Sequence, residues 1–300
     1  ELIARVERVF ELALPERSFA GVETARDLLR AIQGAVTPRA SLTDAAIKPV
    51  SLGQAEAAPA EATTLLEVLD WHVDQHPERP HIQLYQDEGE GEGLNYRQLK
   101  SGAAKVASGL QQAGVQPAEP VVIMLPSGAD YFFSFIGILM AGGIPVPIYP
   151  PARPTQLEDH RLRHTRILTN CLAITLITVS EAKKVARLLK SHAPGLKHIV
   201  TVSELMASSV MASPPTLNGN DIAFLQYTSG STGNPKGVFL THTTLLANIR
   251  AMGQSVKAMP EDVFVSWLPL YHDMVLIGAW LGSLYYAMLL VVMPPLSFLA

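Results

Sequence analysis

From about residue 64 onward, two hydrophobic patterns alternate along this 300-residue chain. Apolar positions three and four residues apart predict helices over residues 65–73, 97–113, 130–140, 157–170 and 181–191. Short apolar runs predict strands over residues 81–85, 121–125, 144–148, 172–179, 198–202 and 221–227. Such alternation of strands and helices predicts an α/β fold with a largely parallel sheet flanked by helices.

The first 61 residues follow a different pattern. Apolar residues recur at helical spacing near the start, and Thr24 is a candidate N-cap for a second short helix that Gly34 ends. Residues 34–61 are rich in Ala, Pro, Ser and Gly and have no sustained periodicity, which is typical of a linker. We therefore expect a short all-helical piece at 1–33, a linker at 34–61 and the main domain at 62–300.

Residues 274–300 contain no Lys, Arg, Asp, Glu or His and are long enough to form a membrane helix. Gly278, Gly282 and Pro294-Pro295 interrupt this run, and residues 289–293 are typical of a central strand. We expect a buried helix followed by a buried strand, and no stable membrane span.

Composition narrows the class of protein. A hydrophobic fraction of 48% with 17% charged residues excludes a disordered chain. A net charge of -4 argues against a nucleic-acid partner but leaves small anions possible. The single cysteine, Cys171, excludes an internal disulfide and is expected in the core. The acidic residues 88–93 are expected to form a solvated turn. Because the chain opens on a charged run, we expect no signal peptide there and a cytoplasmic protein. Because its first residue is Glu1 and not Met, we expect a piece of a longer protein, with a processed amino terminus as the alternative.

The strongest chemical signal is the run Tyr227-Thr228-Ser229-Gly230-Ser231-Thr232-Gly233-Asn234-Pro235-Lys236-Gly237. Glycines let backbone N–H groups approach a phosphate closely, hydroxyls donate to phosphate oxygens or help hold a metal ion, and a lysine adds positive charge. Pro235 stands where the Walker pattern requires glycine. A flexible Ser/Gly linker is the alternative, but apolar segments flank the run on both sides. The pattern therefore predicts a phosphate-binding loop of another type.

This run resembles the phosphate loop of the adenylate-forming superfamily, which includes acyl-CoA synthetases, luciferases and fatty acyl-AMP ligases. Leu240-Thr241-His242, Asn248 and the run Ser266-Trp267-Leu268-Pro269-Leu270-Tyr271-His272-Asp273-Met274 also match. Residues 225–227, 94–99 and 145–151, together with that last run, are most similar to the fatty acyl-AMP ligase branch. The resemblance covers about residues 62–300 and implies the amino-terminal part of the large domain of such an enzyme.

The resemblance implies ATP and Mg²⁺ as cofactors, a fatty acid as substrate and a role in lipid, polyketide or nonribosomal peptide biosynthesis. The implied phosphate-binding residues are Thr228, Ser229, Gly230, Ser231, Thr232, Gly233, Lys236 and Gly237. Thr228 is the implied Mg²⁺ ligand, and Lys236 and His272 are the implied catalytic residues, with His272 steadying negative charge near the acyl carboxylate. Judged from its neighbours alone, a His-Asp pair before an apolar run is more often structural, and it is the family resemblance that favours a functional His272.

The amino-terminal piece has its own resemblance. The run Glu1-Leu2-Ile3-Ala4-Arg5-Val6-Glu7-Arg8-Val9-Phe10, with Leu14-Pro15 and residues 24–28, is similar to the end of an acyl carrier domain. A generic pair of amphipathic helices is the alternative. The serine that bears phosphopantetheine in that family has no counterpart in the chain. Together the two resemblances imply that an acyl carrier protein, in cis or in trans, accepts the acyl group from the adenylate.

Two other functions compete with this interpretation. One is a long-chain acyl-CoA synthetase, with free CoA as acceptor, and the other is a non-enzymatic, membrane-anchored or carrier-type interaction module. The family's ribose, metal and lid motifs have no counterpart in the chain, so we expect the chain to be inactive alone. Val275 replaces the glycine that is usual in the branch. If that position requires a positive φ or a close approach of the ligand, the β-branched side chain should disturb the acyl pocket.

Overall fold

The structure of the chain, a computed structural model, describes residues 24, 26–27, 52–85, 91–150, 157–208, 213, 215–228 and 235–294. Within these ranges the helices are α1 (Leu65–Gln75), α2 (Tyr96–Gln112), α3 (Ala129–Met140), α4 (Leu157–Asn170), α5 (Lys183–His192), α6 (Val202–Met206), α7 (His242–Val256), a π-helix (Met274–Leu281) and α8 (Gly282–Tyr286). The strands are β1 (Pro80–Leu84), β2 (Gly93–Asn95), β3 (Pro120–Met124), β4 (Ile144–Pro147), β5 (Thr175–Thr178), β6 (His198–Val200), β7 (Ile222–Thr228), β8 (Lys236–Thr241), β9 (Val263–Ser266) and β10 (Leu289–Val292).

The helix and strand predictions from residue 64 onward are confirmed to within a few residues. Thr64 begins α1 as predicted, because its side chain accepts from the backbone N–H of Glu67, which completes a capping box. The strand predicted over 172–179 begins three residues late, since Leu172 adopts a left-handed conformation with φ of 58°. The predicted carrier-domain remnant at 1–33 lies outside the described residues, apart from the turn in which Thr24 hydrogen-bonds Asp27.

Two four-stranded sheets and one hairpin carry the fold. The first sheet has the order β2-β1-β10-β9 and the second β4-β3-β5-β6. All neighbours in the second sheet are parallel, as are β1, β10 and β9, whereas β2 is antiparallel to β1. Strands β7 and β8 form a separate antiparallel hairpin. The prediction of mostly parallel strands flanked by helices is confirmed, but β8 and β9 are strands that the hydrophobic pattern missed.

The apolar stretch near the end of the chain lies in the core. Trp280 is fully buried in the π-helix, and its ring packs edge-on against Phe132 at 4.7 Å and Phe135 at 5.2 Å. Strand β10 lies between β1 and β9 inside the first sheet. Among the described residues, no helix is both long and apolar enough to span a bilayer. The buried helix and buried strand expected for this stretch are therefore present. Cys171 is buried too, as predicted, and burial raises its pKa to about 11.

Residues 52–61, at the end of the predicted linker, lie against the domain. The backbone N–H of Ala58 donates to the carbonyl of Tyr285 at 2.8 Å. The guanidinium of Arg79 donates to the carbonyls of Leu52, Gly53, Pro260 and Ala287. One arginine therefore joins this segment to two loops that flank the first sheet.

Four histidines are buried among the described residues, namely His72, His81, His164 and His242. Three of them, His72, His81 and His242, bear on the acid stability of the fold. His72 and His81 stack on Tyr96, with ring centroids 4.5 and 4.7 Å away. His242 accepts a hydrogen bond at Nδ1 from the backbone N–H of Leu65. Loss of hydration on burial lowers the pKa of His72 and of His81 to about 3, and that of His242 to about 4. All three imidazoles are therefore neutral at physiological pH.

These histidines should make the fold sensitive to acid. Each has a pKa near 6.5 when unfolded and a lower one when folded, so unfolding takes up protons below pH 6.5. Their stabilisation is present above that pH and is lost as the pH falls toward 4, with a slope of up to about 1.4 kcal/mol per pH unit for each residue. We expect the urea concentration at the unfolding midpoint to decrease as the pH is lowered from about 7 to about 5. His242→Asn should make this decrease less steep. A midpoint that does not change with pH would contradict this assignment.

Candidate active site

A cavity of about 430 Å³ opens where β4 and β7 end. The two strands, helix α4 and the loop after β9 supply its walls. It is lined by Pro147, Ile148, Tyr149, Arg163, Ile167, Gln226, Tyr227, Thr228, Tyr271, His272 and Asp273. Ligands in open α/β folds commonly bind outside the carboxyl ends of strands. The cavity brings together Thr228 and His272, two of the residues selected from the sequence.

The β7–β8 hairpin places the other predicted residues. Thr228 is paired with Lys236, and Tyr227 with Gly237. A Cβ at position 237 would lie 2.9 Å from the Tyr227 ring, so a larger residue there would force the ring to move. Lys236 is exposed, and neither it nor Gly237 lines the cavity. The predicted phosphate ligands Ser229, Gly230, Ser231, Thr232 and Gly233 lie outside the described residues.

The loop that carries His272 is held from two sides. Tyr131 of α3 donates from its hydroxyl to the carbonyl of Leu270 at 3.0 Å, and the backbone N–H of Leu270 donates to Ser127 Oγ at 3.3 Å. On the cavity side, Gln226 Nε2 donates to the carbonyl of Tyr271 at 3.1 Å. His272 is exposed, its ring 5.1 Å from that of Tyr271. Exposure on a fixed loop favours a ligand-facing histidine over a structural one.

Several lining residues were not selected from the sequence. The Arg163 guanidinium lies 5.7 Å from the centroid of the Tyr149 ring, and the Tyr149 and Tyr271 rings are 5.9 Å apart. Burial raises the pKa of Tyr271, so its phenol stays protonated. Tyr149 and Tyr271 fall within the runs that resemble the fatty acyl-AMP ligases, whereas Arg163 is one of several arginines on its helix. No local pattern distinguishes Arg163 from its neighbours.

A metal ion would find few protein ligands here. Within the described part of the chain, no group of three His, Cys, Asp or Glu side chains is arranged to hold one. The carboxylate of Asp273 accepts from the backbone N–H of Met274 at 2.8 Å. Thr228 offers one exposed hydroxyl, which suits a Mg²⁺ ion whose other ligands are phosphate oxygens and water. The residues present therefore fit Mg²⁺ that arrives with a nucleotide.

Val275 has ordinary backbone geometry. It lies in the first turn of the π-helix, its N–H donates to the carbonyl of His272 at 3.1 Å, and its φ is not positive. The side chain is 2% exposed and belongs to the core. The position therefore does not require the positive φ under which Val275 would disturb the pocket, and a helical backbone accepts a β-branched residue at modest cost.

Replacing Val275 with glycine should destabilise the fold without changing substrate selection. We expect a loss of about 1–3 kcal/mol from the lost burial and the added freedom of the unfolded chain. Urea denaturation of both versions measures this loss. Turnover of fatty acids of increasing length by the full-length enzyme gives the second comparison. A changed chain-length profile at equal stability would show that Val275 shapes the acyl pocket.

Comparisons with known proteins identify the family of the chain. The AMP-binding enzyme family matches residues 69–300. The long-chain-fatty-acid–AMP ligase FadD32 of Mycolicibacterium smegmatis is 34% identical over 195 residues, which are 64% of this chain and 30% of FadD32. The medium-chain-fatty-acid–[acyl-carrier-protein] ligase JamA of Moorena producens is 30% identical over 79% of this chain and 41% of JamA.

Among solved structures, the fatty acyl-adenylate ligase from L. pneumophila, crystallised with acyl adenylate and pyrophosphate, matches with a TM-score of 0.69. It is 32% identical, and the match covers 79% of this chain and 41% of that one. The chain thus spans well under half the length of these relatives. The matched family covers most of the chain, including both the phosphate-loop hairpin and the His272 loop. The chain belongs to the AMP-binding enzyme family.

Proposed function

We propose that this chain is part of an enzyme that activates a fatty acid with ATP. The carboxylate attacks the α-phosphorus, the bond to the β-phosphate breaks, and acyl-adenylate and pyrophosphate form. The observation that carries this proposal is a cavity lined both by Thr228, the last residue of β7 before the phosphate loop, and by the exposed His272. The relatives named as fatty-acid–AMP ligases support the choice of substrates.

Both substrates are anions, so the site must offset repulsion between them. Lys236 stands across the hairpin from Thr228, and Arg163 adds a second cation in the lining of the cavity. Residues 228–237 are proposed to bind the phosphates, and Mg²⁺ held by Thr228 and the phosphate oxygens would neutralise their charge. Positive groups fixed near the phosphates favour the transition state, because their positions need not change as charge develops.

His272 is proposed to act at the reacting centre. Its loop is anchored at Leu270 and at Tyr271, so the imidazole keeps its place in the cavity wall. An imidazole N–H held there can donate to an oxygen of the carboxylate or of the α-phosphate as negative charge builds up. One such donor is commonly worth about 3–4 kcal/mol of transition-state stabilisation.

The acyl group is proposed to pass next to the phosphopantetheine thiol of an acyl carrier protein. The thiol sulfur attacks the acyl carbon, AMP leaves with the electron pair of the broken C–O bond, and the thiol loses its proton to solvent. The relatives JamA and TtuA, both named as acyl-carrier-protein ligases, support this acceptor over CoA. The carrier-like residues 1–33 are consistent with a carrier in the same polypeptide.

The full-length protein that carries this chain provides the test. It should form acyl-adenylate, detected by mass spectrometry, when given ATP, Mg²⁺ and a series from hexanoate to octadecanoate. His272→Ala should lower this rate strongly at an unchanged melting temperature. Holo-carrier protein and CoA, supplied separately, identify the acceptor. If no fatty acid yields adenylate, the proposed function is refuted, and acyl-CoA as the main product would refute only the carrier step.

A further inference from the structure

Gln226 is the polar side chain that joins the two walls of the cavity. It is the third-last residue of β7 and is only 8% exposed. Its Nε2 donates to the carbonyl of Tyr271 at 3.1 Å, so the carboxamide of one strand holds the backbone next to His272. A shift of this side chain would therefore move the histidine loop.

The other half of the carboxamide has an unusual environment. Gln226 Oε1 is buried and has no hydrogen-bond partner in the structure as described. A buried acceptor left unpaired costs about 1–3 kcal/mol, and native proteins rarely keep one. The side chain lines the cavity, so a molecule bound there can supply the missing donor.

We propose that Gln226 positions the His272 loop with its amide N–H and accepts a hydrogen bond from the bound nucleotide with its Oε1. This inference rests on the proposed function. Of the two substrates, the fatty acid is a carboxylate at neutral pH and carries no donor at its head group. The nucleotide carries three hydrogen-bond donors, namely the 2′-hydroxyl, the 3′-hydroxyl and the adenine amino group. Because Gln226 Oε1 can only accept a hydrogen bond, its partner is assigned to the nucleotide.

Tyr131 provides a matched control for loop anchoring. It donates to the carbonyl of Leu270, the neighbour of Tyr271, from a fully buried position behind the loop. It does not line the cavity. Tyr131→Phe thus loosens the same loop from the other side and leaves nucleotide contacts alone, whereas Gln226→Met removes a loop contact and the free acceptor together.

The experiment compares ATP with 2′-deoxy-ATP, 3′-deoxy-ATP and purine riboside triphosphate in ATP–pyrophosphate exchange by the full-length enzyme. Gln226→Met should lower kcat/KM for ATP about tenfold. With the one analogue that lacks the hydrogen-bonded donor, its effect should shrink to the loss that comes from loosening the loop, which Tyr131→Phe measures. Tyr131→Phe should affect all four nucleotides by the same factor. If Gln226→Met also lowers all four by one factor, or none, the proposal is overturned.

Two further measurements keep the outcome clear. Circular dichroism shows whether Gln226→Met folds, and if it does not, Gln226→Leu takes its place. Wild-type protein must bind at least one analogue more weakly than ATP in calorimetric titrations, and equal binding of all four overturns the proposal without any variant. Calorimetric titration also measures nucleotide binding by a protein that shows no catalytic turnover. If wild-type protein shows no exchange with any fatty acid, yet Gln226→Met weakens ATP binding selectively, the adenylation proposal fails and the nucleotide contact stands.

Discussion

Replacing Lys236 with alanine in the full-length enzyme is expected to lower ATP–pyrophosphate exchange about 100-fold or more. Lys236 is the first residue of β8, exposed and paired across the hairpin with Thr228. A charge held there is proposed to act on the phosphates during the reaction, whereas an exposed lysine contributes little to packing. The melting temperature should therefore remain within about a degree of the wild-type value.

A second lysine provides the control for this measurement. Lys105 is exposed on α2 and does not line the cavity. Lys105→Ala removes the same charge and should leave both exchange and melting unchanged. Parallel losses of exchange and thermal stability in Lys236→Ala would instead show that Lys236 supports the hairpin.

Trp280→Ala is expected to produce the largest loss of stability, about 3–5 kcal/mol. The indole is fully buried between α3 and the rest of the core, where its ring meets Phe132 and Phe135 edge-on. Truncation removes these contacts and leaves a void that surrounding helices fill only in part. Urea denaturation of this chain measures the change.

Phe264→Ala gives the comparison for that loss. Phe264 lies on β9 and is 40% exposed, so the same kind of truncation should cost less than about 1 kcal/mol. If Trp280→Ala and Phe264→Ala destabilise the chain equally, the apolar segment around Trp280 is not the centre of the core.

Local patterns were sufficient for much of the fold. The helix over 157–170 has the predicted bounds, because its apolar spacing and its flanking residues both indicate a helix of that length. The buried helix and strand after residue 274 followed from glycines and prolines that interrupt an apolar run. In each case the deciding interaction lies within a few residues along the chain, so the sequence carries it directly.

Other features depend on contacts between distant segments. Strand β8 opens with Lys236 and Gly237, which disfavour strands, and it forms because β7 supplies hydrogen-bond partners along its length. In the sequence, Gln226 is one polar residue within an apolar strand. Its role depends on a hydrogen bond to the Tyr271 carbonyl, 45 residues later, which only the folded structure shows. The sequence runs therefore pointed to Thr228 and His272, whereas the places of Arg163 and of the Gln226 carboxamide required the folded structure.

The contacts of Arg79 bear on where a recombinant form of this domain should begin. A protein started at residue 62 would lack the Leu52 and Gly53 carbonyls that the guanidinium binds, and the Ala58 N–H that binds Tyr285. The guanidinium would then keep the carbonyls of Pro260 and Ala287 as partners. Water would have to replace the carbonyls of Leu52 and Gly53. A boundary drawn from composition alone is thus expected to give lower yield and poorer solubility than one placed ahead of residue 52.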